Sequence, residues 1–320
     1  MTNRFSELTI VPDTYLAYFV DEYEQSAVAE IVGDLNGHVT VQEADMINTE
    51  DQSGSHYQYS VRNPNDGRFI KRVFENNNIR TLDLTPFKYV RGIVSWSGWL
   101  KMPSLVVFNG GHLKFTSWWH ADGLGGNDRA IANPQYCTSL RYFTFPNADI
   151  VGSHCFYENS RLEYALFAKA SYILGYHLRG SDRLKIIYFG QNIKYVDSRL
   201  PDWNSDPSNT IKLVFNKTVT DVNECPKAFS SCTVPAADVY YASGGGLSYF
   251  ESNSTFTEIS TLDTGNRKWG KIDVYVPDEC VSIYQQSVWN QVGVYGISTL
   301  STDEKNAIRD YAHENDPVFV

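Results

Sequence analysis

Three apolar bursts recur along this chain at a fixed interval, and this recurrence limits its possible folds more than any other feature. The bursts begin at Leu140, Leu162 and Leu184, so each interval is 22 residues. The residues three and five positions after each leucine are apolar, and such alternation predicts a short strand with one buried face. The residues expected to point inward are Phe143 and Phe145, Ala165 and Phe167, and Ile187 and Phe189.

A second apolar segment follows each burst, which indicates a chain that turns and runs back within every unit. These segments contain Ile150 and Val151, Ile173 and Leu174, and Ile193 and Val196. A unit of about 20–29 residues with a strand and a returning segment has the period of a leucine-rich repeat. Further strands are predicted near Ile79, Leu105, Ile211, Val239 and Lys271. Two insertions, rich in loop-forming residues, are expected at about 116–135 and 243–270.

The residue types within the unit are more specific than its period. The segment "YCTSLRYFTFPNADIVGSHCF" resembles the BspA-like leucine-rich repeats. The matching residues are Cys137, Ser139, Leu140, Phe143, Phe145, Pro146, Val151, Gly152 and Phe156. Residues 271–292 resemble the closing element of that family, in which a "YVP" strand precedes a short helix and an aromatic residue. The resemblance implies an α/β fold, namely an irregular leucine-rich-repeat solenoid of short stacked parallel strands with a helical N-terminal cap and a C-terminal helix.

The N-terminal part is similar to a helical module that precedes the repeats in many BspA-like proteins and carries a segment derived from an EF-hand. Asp34, Asn36 and Glu43 stand where that segment has calcium ligands. The stretch from Asp34 to Glu43 covers ten residues, whereas a calcium loop has about twelve and a glycine at its sharp turn. We therefore expect a degenerate helix-loop-helix cap that holds no metal. The expected domains are 1–75 for this module, 76–293 for the repeats and 294–320 for a tail helix.

The charge balance and the hydropathy pattern exclude two classes of partner. The formal net charge is −10 and no run of Lys or Arg offsets it, so we expect no nucleic-acid binding, because phosphate backbones would be repelled. No stretch approaches the roughly 20 apolar residues that a membrane span needs, so we expect no membrane insertion. Residues 1–25 lack the profile of a signal peptide, because Glu7 and Asp13 interrupt any apolar stretch. Export by the usual route is therefore not expected.

The common sequence motifs for nucleotide binding, acyl transfer and zinc-dependent hydrolysis are absent from the sequence. We expect a chain that is not an enzyme and takes no cofactor. A loop at 120–128 offers one histidine and two aspartates for a metal, although loops of this composition favour turns. Asp197 and Asp202 both lie shortly before Trp203, and paired carboxylates beside an aromatic residue occur in sugar-processing clefts. A glycan-active enzyme is therefore an alternative.

The residues between the inward positions are expected to form a continuous outward face, because neighbouring strands stack in register. This binding face is predicted to carry Tyr142 and Thr144, Tyr164 and Leu166, and Ile186 and Tyr188, flanked by Val107, Lys212 and Val214. Contiguous apolar patches with tyrosine usually mark an interface. The alternative is that a loop or a neighbouring subunit covers this face. Trp118 and Trp119 in the first insertion are further candidate contacts.

The C-terminal tail carries a helix-start signature. Ser301 is followed three residues later by Glu304, which is the spacing of a capping box and predicts a helix of about ten residues. Ala307, Ile308 and Tyr311 would form a narrow apolar stripe on that helix. We expect the helix to cap the repeats, and docking on a partner is the alternative.

The resemblance implies a binding function, since BspA-like proteins are typically surface adhesins that contact host proteins, other cells or glycans. Such repeats also occur in tailed phages of gut bacteria of the Bacteroides group, and a virion protein needs no signal peptide. We therefore expect a surface component of a phage virion, such as a tail, collar or head fibre or decoration, that mediates host adhesion or assembly. The expected partners are neighbouring virion subunits, a host envelope protein or a surface glycan, and the chain could form a homo-oligomer. The first alternative is a bacterial cell-surface adhesin of the BspA type whose signal peptide was removed.

Overall fold

The structure is a computed structural model, and it shows an α/β chain with largely parallel sheets and few helices. It describes residues 14–20, 26–33, 38–42, 59–61, 80–83, 90–93, 104–111, 115–116, 137–152, 159–175, 178, 180–201, 210–233, 246–264 and 269–312. The coarse fold class that the resemblance implied, α/β with parallel strands, is therefore confirmed.

Nineteen strands and three α-helices make up the regular structure of the described residues. The strands are β1 (Thr14–Val20), β2 (Ser26–Gly33), β3 (His38–Gln42), β4 (Tyr59–Val61), β5 (Thr81–Asp83), β6 (Val90–Ile93), β7 (Val107–Asn109), β8 (Phe115–Thr116), β9 (Tyr142–Thr144), β10 (Ile150–Val151), β11 (Tyr164–Phe167), β12 (Tyr172–Ile173), β13 (Ile186–Phe189), β14 (Tyr195–Asp197), β15 (Ile211–Phe215), β16 (Lys227–Thr233), β17 (Thr255–Glu258), β18 (Ile272–Val276) and β19 (Gly293–Gly296). The helices are α1 (Gly246–Asn253), α2 (Val281–Tyr284) and α3 (Thr302–Ala312).

Two sheets take nearly all of these strands. The first sheet has 11 strands in the order β1-β2-β3-β5-β7-β9-β11-β13-β15-β18-β19, and the second has six in the order β17-β16-β14-β12-β10-β8. From β7 to β16 the chain alternates between them, so that each strand of the first sheet is followed by one of the second. The returning apolar segments predicted from the sequence are thus the short strands β10, β12 and β14.

The strands stack in the register that the 22-residue interval predicts. Tyr142 pairs with Tyr164, and Tyr164 pairs with Ile186, in parallel ladders. The interval then lengthens, because Ile186 pairs with Lys212 of β15. In the same register Tyr188 is level with Leu166 and Thr144, two residues further along the strands than Tyr142 and Tyr164.

The main hydrophobic core fills the space between the two sheets. Leu140, Leu162 and Leu184 have no exposed surface, as predicted, and all the inward positions of the three bursts are equally buried. The second sheet contributes residues such as Val151 and Ile173 to the same cluster. Pairs of aromatic rings from successive strands stack inside this core, including Phe167 and Phe189 with centroids 5.6 Å apart. Offset contacts of this kind stabilise a pair beyond its buried area.

The N-terminal residues differ from the expectation of a helical cap. The described residues there form strands: β1 pairs antiparallel with β2, β2 antiparallel with β3, and β3 runs parallel to β5. The predicted helix-loop-helix is therefore wrong over β2 and β3. The sequence contains the physical reason, since "HVTVQ" alternates with the period of a strand and Asn36-Gly37 is a strong hairpin signal. Asp34, Asn36 and Glu43 lie outside the described residues.

The closing segment follows the pattern that its resemblance implied. Strand β18 leads into a 3-10 turn at Asp278–Cys280 and then into α2. Trp289 is fully buried, and its indole nitrogen donates a hydrogen bond of 2.7 Å to the carbonyl oxygen of Pro226. The indole nitrogen of Trp269 donates at 2.9 Å to the carbonyl oxygen of Ser198. These two aromatic residues pack against each other at 5.5 Å, so they close the core at this end of the sheets. Strand β19 crosses the boundary that was expected at 293/294.

Polar side chains tie neighbouring units together at the same interval. The Glu163 carboxylate accepts hydrogen bonds of 2.7 Å from both Arg141 and Lys185, each 22 residues away. The side-chain oxygen Oδ1 of the buried Asn159 accepts a hydrogen bond of 3.1 Å from the backbone N–H of Cys137. These contacts bridge consecutive strands of the first sheet and so reinforce its register.

Asp197 is the most deeply anchored of the charged residues that the structure describes. It has no exposed surface. The carboxylate oxygen Oδ2 accepts two hydrogen bonds. The backbone N–H of Gly175 donates one at 2.9 Å, and a terminal guanidinium nitrogen of Arg199 donates the other at 2.6 Å. The oxygen Oδ1 accepts two hydrogen bonds from Arg199, one from its backbone N–H at 2.8 Å and one from its side-chain Nε at 2.9 Å. The carboxylate is therefore a structural anchor that fastens β14 to the preceding unit.

Replacing Asp197 with alanine should lower the free energy of unfolding by about 3–5 kcal/mol, because the substitution leaves the Arg199 guanidinium and the Gly175 N–H without their partner. Urea denaturation near neutral pH measures this loss. Asp310→Ala is the matched control, since Asp310 pairs with Arg309 at the surface and such pairs contribute about 1 kcal/mol or less. Equal losses in the two variants would contradict the assigned role of Asp197.

Candidate functional site

Helix α3 begins as the capping box predicts. The Ser301 hydroxyl accepts the Glu304 N–H at 3.3 Å, and the Glu304 carboxylate accepts the Ser301 N–H at 2.9 Å. This reciprocal pair satisfies backbone donors that a helix N-terminus otherwise leaves unpaired. The predicted apolar stripe is also confirmed: Ala307 and Ile308 are buried, Tyr311 is half-buried against the same cluster, and the buried Ala312 extends the stripe.

Helix α3 lies across the outward side of the first sheet. Its buried stripe forms one hydrophobic cluster with Leu166, Ile186 and Val214 on three successive strands. At its far end the ring of Tyr311 stacks on Tyr142 with centroids 4.0 Å apart, and Tyr142 in turn stacks on Tyr164 at 5.1 Å. A helix of 11 residues is about 16 Å long, which matches the width of three to four strands spaced about 4.8 Å apart.

The six residues of the predicted binding face are therefore covered by the chain itself. Tyr142 is half-buried, and the others, Thr144, Tyr164, Leu166, Ile186 and Tyr188, are buried. The expectation of an exposed face is wrong, and the alternative of coverage holds, with α3 as the cover. The physical reason is the apolar character that first suggested an interface: a row of tyrosine, leucine and isoleucine side chains is stabilised when an apolar helix stripe removes it from water.

An ion pair anchors the start of α3 on the sheet. The Lys212 ammonium donates to both carboxylate oxygens of Glu304 at 2.8 Å and lies 5.3 Å from the centre of the Tyr275 ring. Burial would raise the pKa of the Glu304 carboxyl, but hydrogen bonds from Lys212 and Ser301 outweigh burial and hold that pKa below its ordinary range. Glu304 thus serves at once as helix cap and as tether to β15.

The outward side of the second sheet is covered as well. Ile150 and Tyr172 pack in one cluster with Phe250 of α1, and Phe256 of β17 packs against that cluster. The Tyr172 hydroxyl donates to Glu251 at 3.0 Å. The Tyr195 hydroxyl donates to Glu258 at 2.9 Å, and burial together with this carboxylate raises the pKa of Tyr195 to about 12. Both tyrosines therefore remain hydrogen-bond donors at neutral pH, and the second insertion serves as a cover.

The remaining sequence-predicted site residues separate into two groups. Asp197 is described, and the Arg199 and Gly175 donors already occupy its carboxylate, so it is not available as one of a pair of catalytic carboxylates. The others lie outside the described residues, namely Trp118, Trp119, the loop at 120–128, Asp202 and Trp203. Within the described ranges no three histidine, cysteine or acidic side chains are grouped so that they could hold a metal ion.

One open concavity lies at the C-terminal end of the two sheets, and we call it the C-terminal cleft. Three segments line its volume of about 400 Å³: 222–228 before and within β16, 258–260 after β17, and 286–291 in the closing segment. Its walls include the apolar side chains of Ile259 and Val288 together with several amides and hydroxyls. Since pockets of about 300–1,000 Å³ accommodate small ligands, this cleft is the candidate functional site.

The C-terminal cleft contains a potential nucleophile, the thiol of Cys225. Cys225 lies in its lining, and burial raises the pKa of that thiol to about 11. A thiol in this state is protonated at neutral pH and is a poor nucleophile. The sequence analysis did not single out the cleft, because its lining comes from three distant segments. The one available signal was the amide-rich run "QQSVWNQ" at 285–291.

Comparison of the chain with models of known protein families, with curated proteins and with solved structures finds no match. Every helix within the described ranges is too short or too polar to span a lipid bilayer.

Replacing Ile308 with glutamate should detach α3 from the first sheet, because a charge would enter a fully buried apolar position. We expect a lower Tm. We also expect a several-fold rise in the fluorescence of a dye that binds exposed apolar surface, because the row formed by Tyr142, Tyr164 and Ile186 would become exposed to solvent. Asp310→Ala on the exposed side of the same helix should change neither measurement. A dye signal that stays at the wild-type value would contradict the covering role of α3.

The Glu304 tether predicts a pH-dependent stability. Because the pKa of Glu304 is lower in the folded chain than in the unfolded chain, its contribution is present above the unfolded pKa and is lost as the pH falls through the folded pKa. Glu304→Gln should therefore be less stable than wild type by about 1 kcal/mol near neutral pH, and the difference should shrink in acid.

Urea unfolding of both proteins, from about pH 7 to about pH 3, checks this trend. Glu279→Gln, which alters an exposed carboxyl, should leave stability unchanged throughout. A difference for Glu304→Gln that stays constant across the range would argue against an ionic tether.

Proposed function

We propose that this chain is a non-enzymatic binding and structural protein built on an irregular solenoid of BspA-like leucine-rich repeats. The observation that carries the proposal is the register of Tyr142, Tyr164 and Ile186, which are 22 residues apart and level on three parallel strands. Strictly spaced units that contact only their neighbours are characteristic of repeat proteins. Proteins of this architecture serve mainly as scaffolds for binding surfaces.

We infer further that the chain is a surface component of a tailed-phage virion, such as a tail, collar or head fibre or decoration. The support is the resemblance of the segment 136–156 to repeats that occur in such phages. Its role would be adhesion to the host surface or assembly with neighbouring virion subunits. The acidic net charge of −10 favours a protein or glycan partner over a nucleic acid.

The distribution of covered and open surface supports one location for the binding site. Helix α3 covers the row formed by Tyr142, Tyr164 and Ile186 on the first sheet, and α1 packs on the outward side of the second sheet. The C-terminal cleft remains open between three segments of the chain. We therefore propose that binding uses the end of the stacked strands instead of their faces.

Mass spectrometry and immunogold microscopy of purified particles test the assignment to a virion. We expect peptides of this chain at a fixed ratio to the major capsid protein, and gold labels at one position on the particle surface. A non-structural phage protein that remains in the lysate serves as the control. Absence of the chain from particles, combined with labelling of the bacterial surface, would overturn the virion assignment in favour of a bacterial adhesin.

A further inference from the structure

We propose that the C-terminal cleft is a binding site for a neutral glycan. This inference deepens the proposed binding function and rests on it, because it names the class of ligand for the open surface. It follows from three properties of the lining, namely its charge, its unused hydrogen-bonding groups and its apolar walls.

The lining carries two charged side chains, and they neutralise each other. The Lys227 ammonium donates to both carboxylate oxygens of Glu258 at 3.0 Å, and the Tyr195 hydroxyl also donates to Glu258. An ionic ligand would lose its hydration in the cleft without gaining an unpaired counter-charge. The cleft therefore favours an uncharged ligand, although the chain as a whole is strongly acidic.

Several polar groups around the cleft have unused hydrogen-bonding capacity. The Asn290 amide and the Ser260 hydroxyl make no side-chain hydrogen bond within the described part of the chain, while Gln286 uses one amide proton, on the Ser282 carbonyl oxygen. An amide presents two donors beside an acceptor, and a hydroxyl presents both functions. Sugar hydroxyl groups also donate and accept, so a polyhydroxylated ligand is chemically complementary to each of these three side chains.

The walls between these groups are apolar and firmly held. Val222, Ile259 and Val288 offer surfaces against which the C–H face of a sugar ring can pack. Gln291 fixes two of the lining segments to each other: its amide nitrogen donates to the carbonyl oxygens of Ser260 at 2.9 Å and Val288 at 3.1 Å. A wall held in this way is organised before the ligand arrives, which reduces the entropic cost of binding.

Affinity electrophoresis of the full chain tests the proposal. The protein would run through native gels that contain mannan, dextran or laminarin as neutral polysaccharides, and through a gel that contains heparin as a charged comparator. We expect retardation by at least one neutral polysaccharide and none by heparin. The double variant Gln286→Ala/Asn290→Ala should weaken the retardation about tenfold in apparent Kd, because two hydrogen-bonding side chains are lost.

Gln285→Ala is the matched control, since it removes an exposed amide of the same run that does not line the cleft, and it should behave as wild type. Ser260→Trp, which fills the cleft, should abolish retardation. The inference is overturned if no neutral polysaccharide retards the chain, if heparin alone does, or if the double variant and Ser260→Trp are retarded like wild type. Such failures would leave the virion assignment intact, since that assignment is judged by the presence of the chain in particles.

Discussion

The contact on which the rest of the structure depends is a column of phenylalanine rings inside the main core. The rings of Phe145, Phe167, Phe189 and Phe215 follow one another with centroid distances of 6.5, 5.6 and 6.2 Å. Strands lie about 4.8 Å apart and side chains alternate between the two faces of a sheet, so this column fixes the register of every strand that contributes a ring. A slip of one residue would expose the column to the outward face and bury its neighbours in the core. The same register therefore determines which side chains line up on the outward face.

Coverage of the outward faces follows from that register. Once the phenylalanine column is set, Tyr142, Tyr164 and Ile186 must form an apolar row on the opposite side of the first sheet. An apolar row in water is unfavourable, and the chain removes it from solvent with α3, whose position is fixed by the ion pair between Lys212 and Glu304. On the second sheet, Phe250 of α1 packs over Ile150 and Tyr172 in the same way. The regular surfaces of this fold are thus part of its stability, because the chain itself removes them from water.

Periodic and local features were predictable from the sequence, and features that depend on distant segments were not. The inward positions, the returning strands and the Ser301 cap each follow from a few neighbouring residues. The outward row could not be recognised as covered, because its periodicity is the same whether it faces water or a helix that lies more than a hundred residues later in the chain. The prediction of a helical N-terminal cap was wrong over these residues, because "HVTVQ" alternates with the period of a strand despite the similarity of its surroundings to a helical module. The cleft escaped prediction because no single segment contains it.

The position of the cleft has a structural cause in the place where the repeat ends. Strand β16 has seven residues, far longer than β10 and β12 with two each, and it pairs antiparallel with β17 across a register shift between Phe229 and Ser231. The second sheet therefore stops repeating there, while Trp289 of the closing segment reaches back to the Pro226 carbonyl oxygen. Regular stacking produces flat faces that the chain can cover with one helix, whereas this interruption leaves a concave gap between three segments. In a repeat architecture, specific recognition can arise where the repetition breaks, because only there do the side chains differ from one unit to the next.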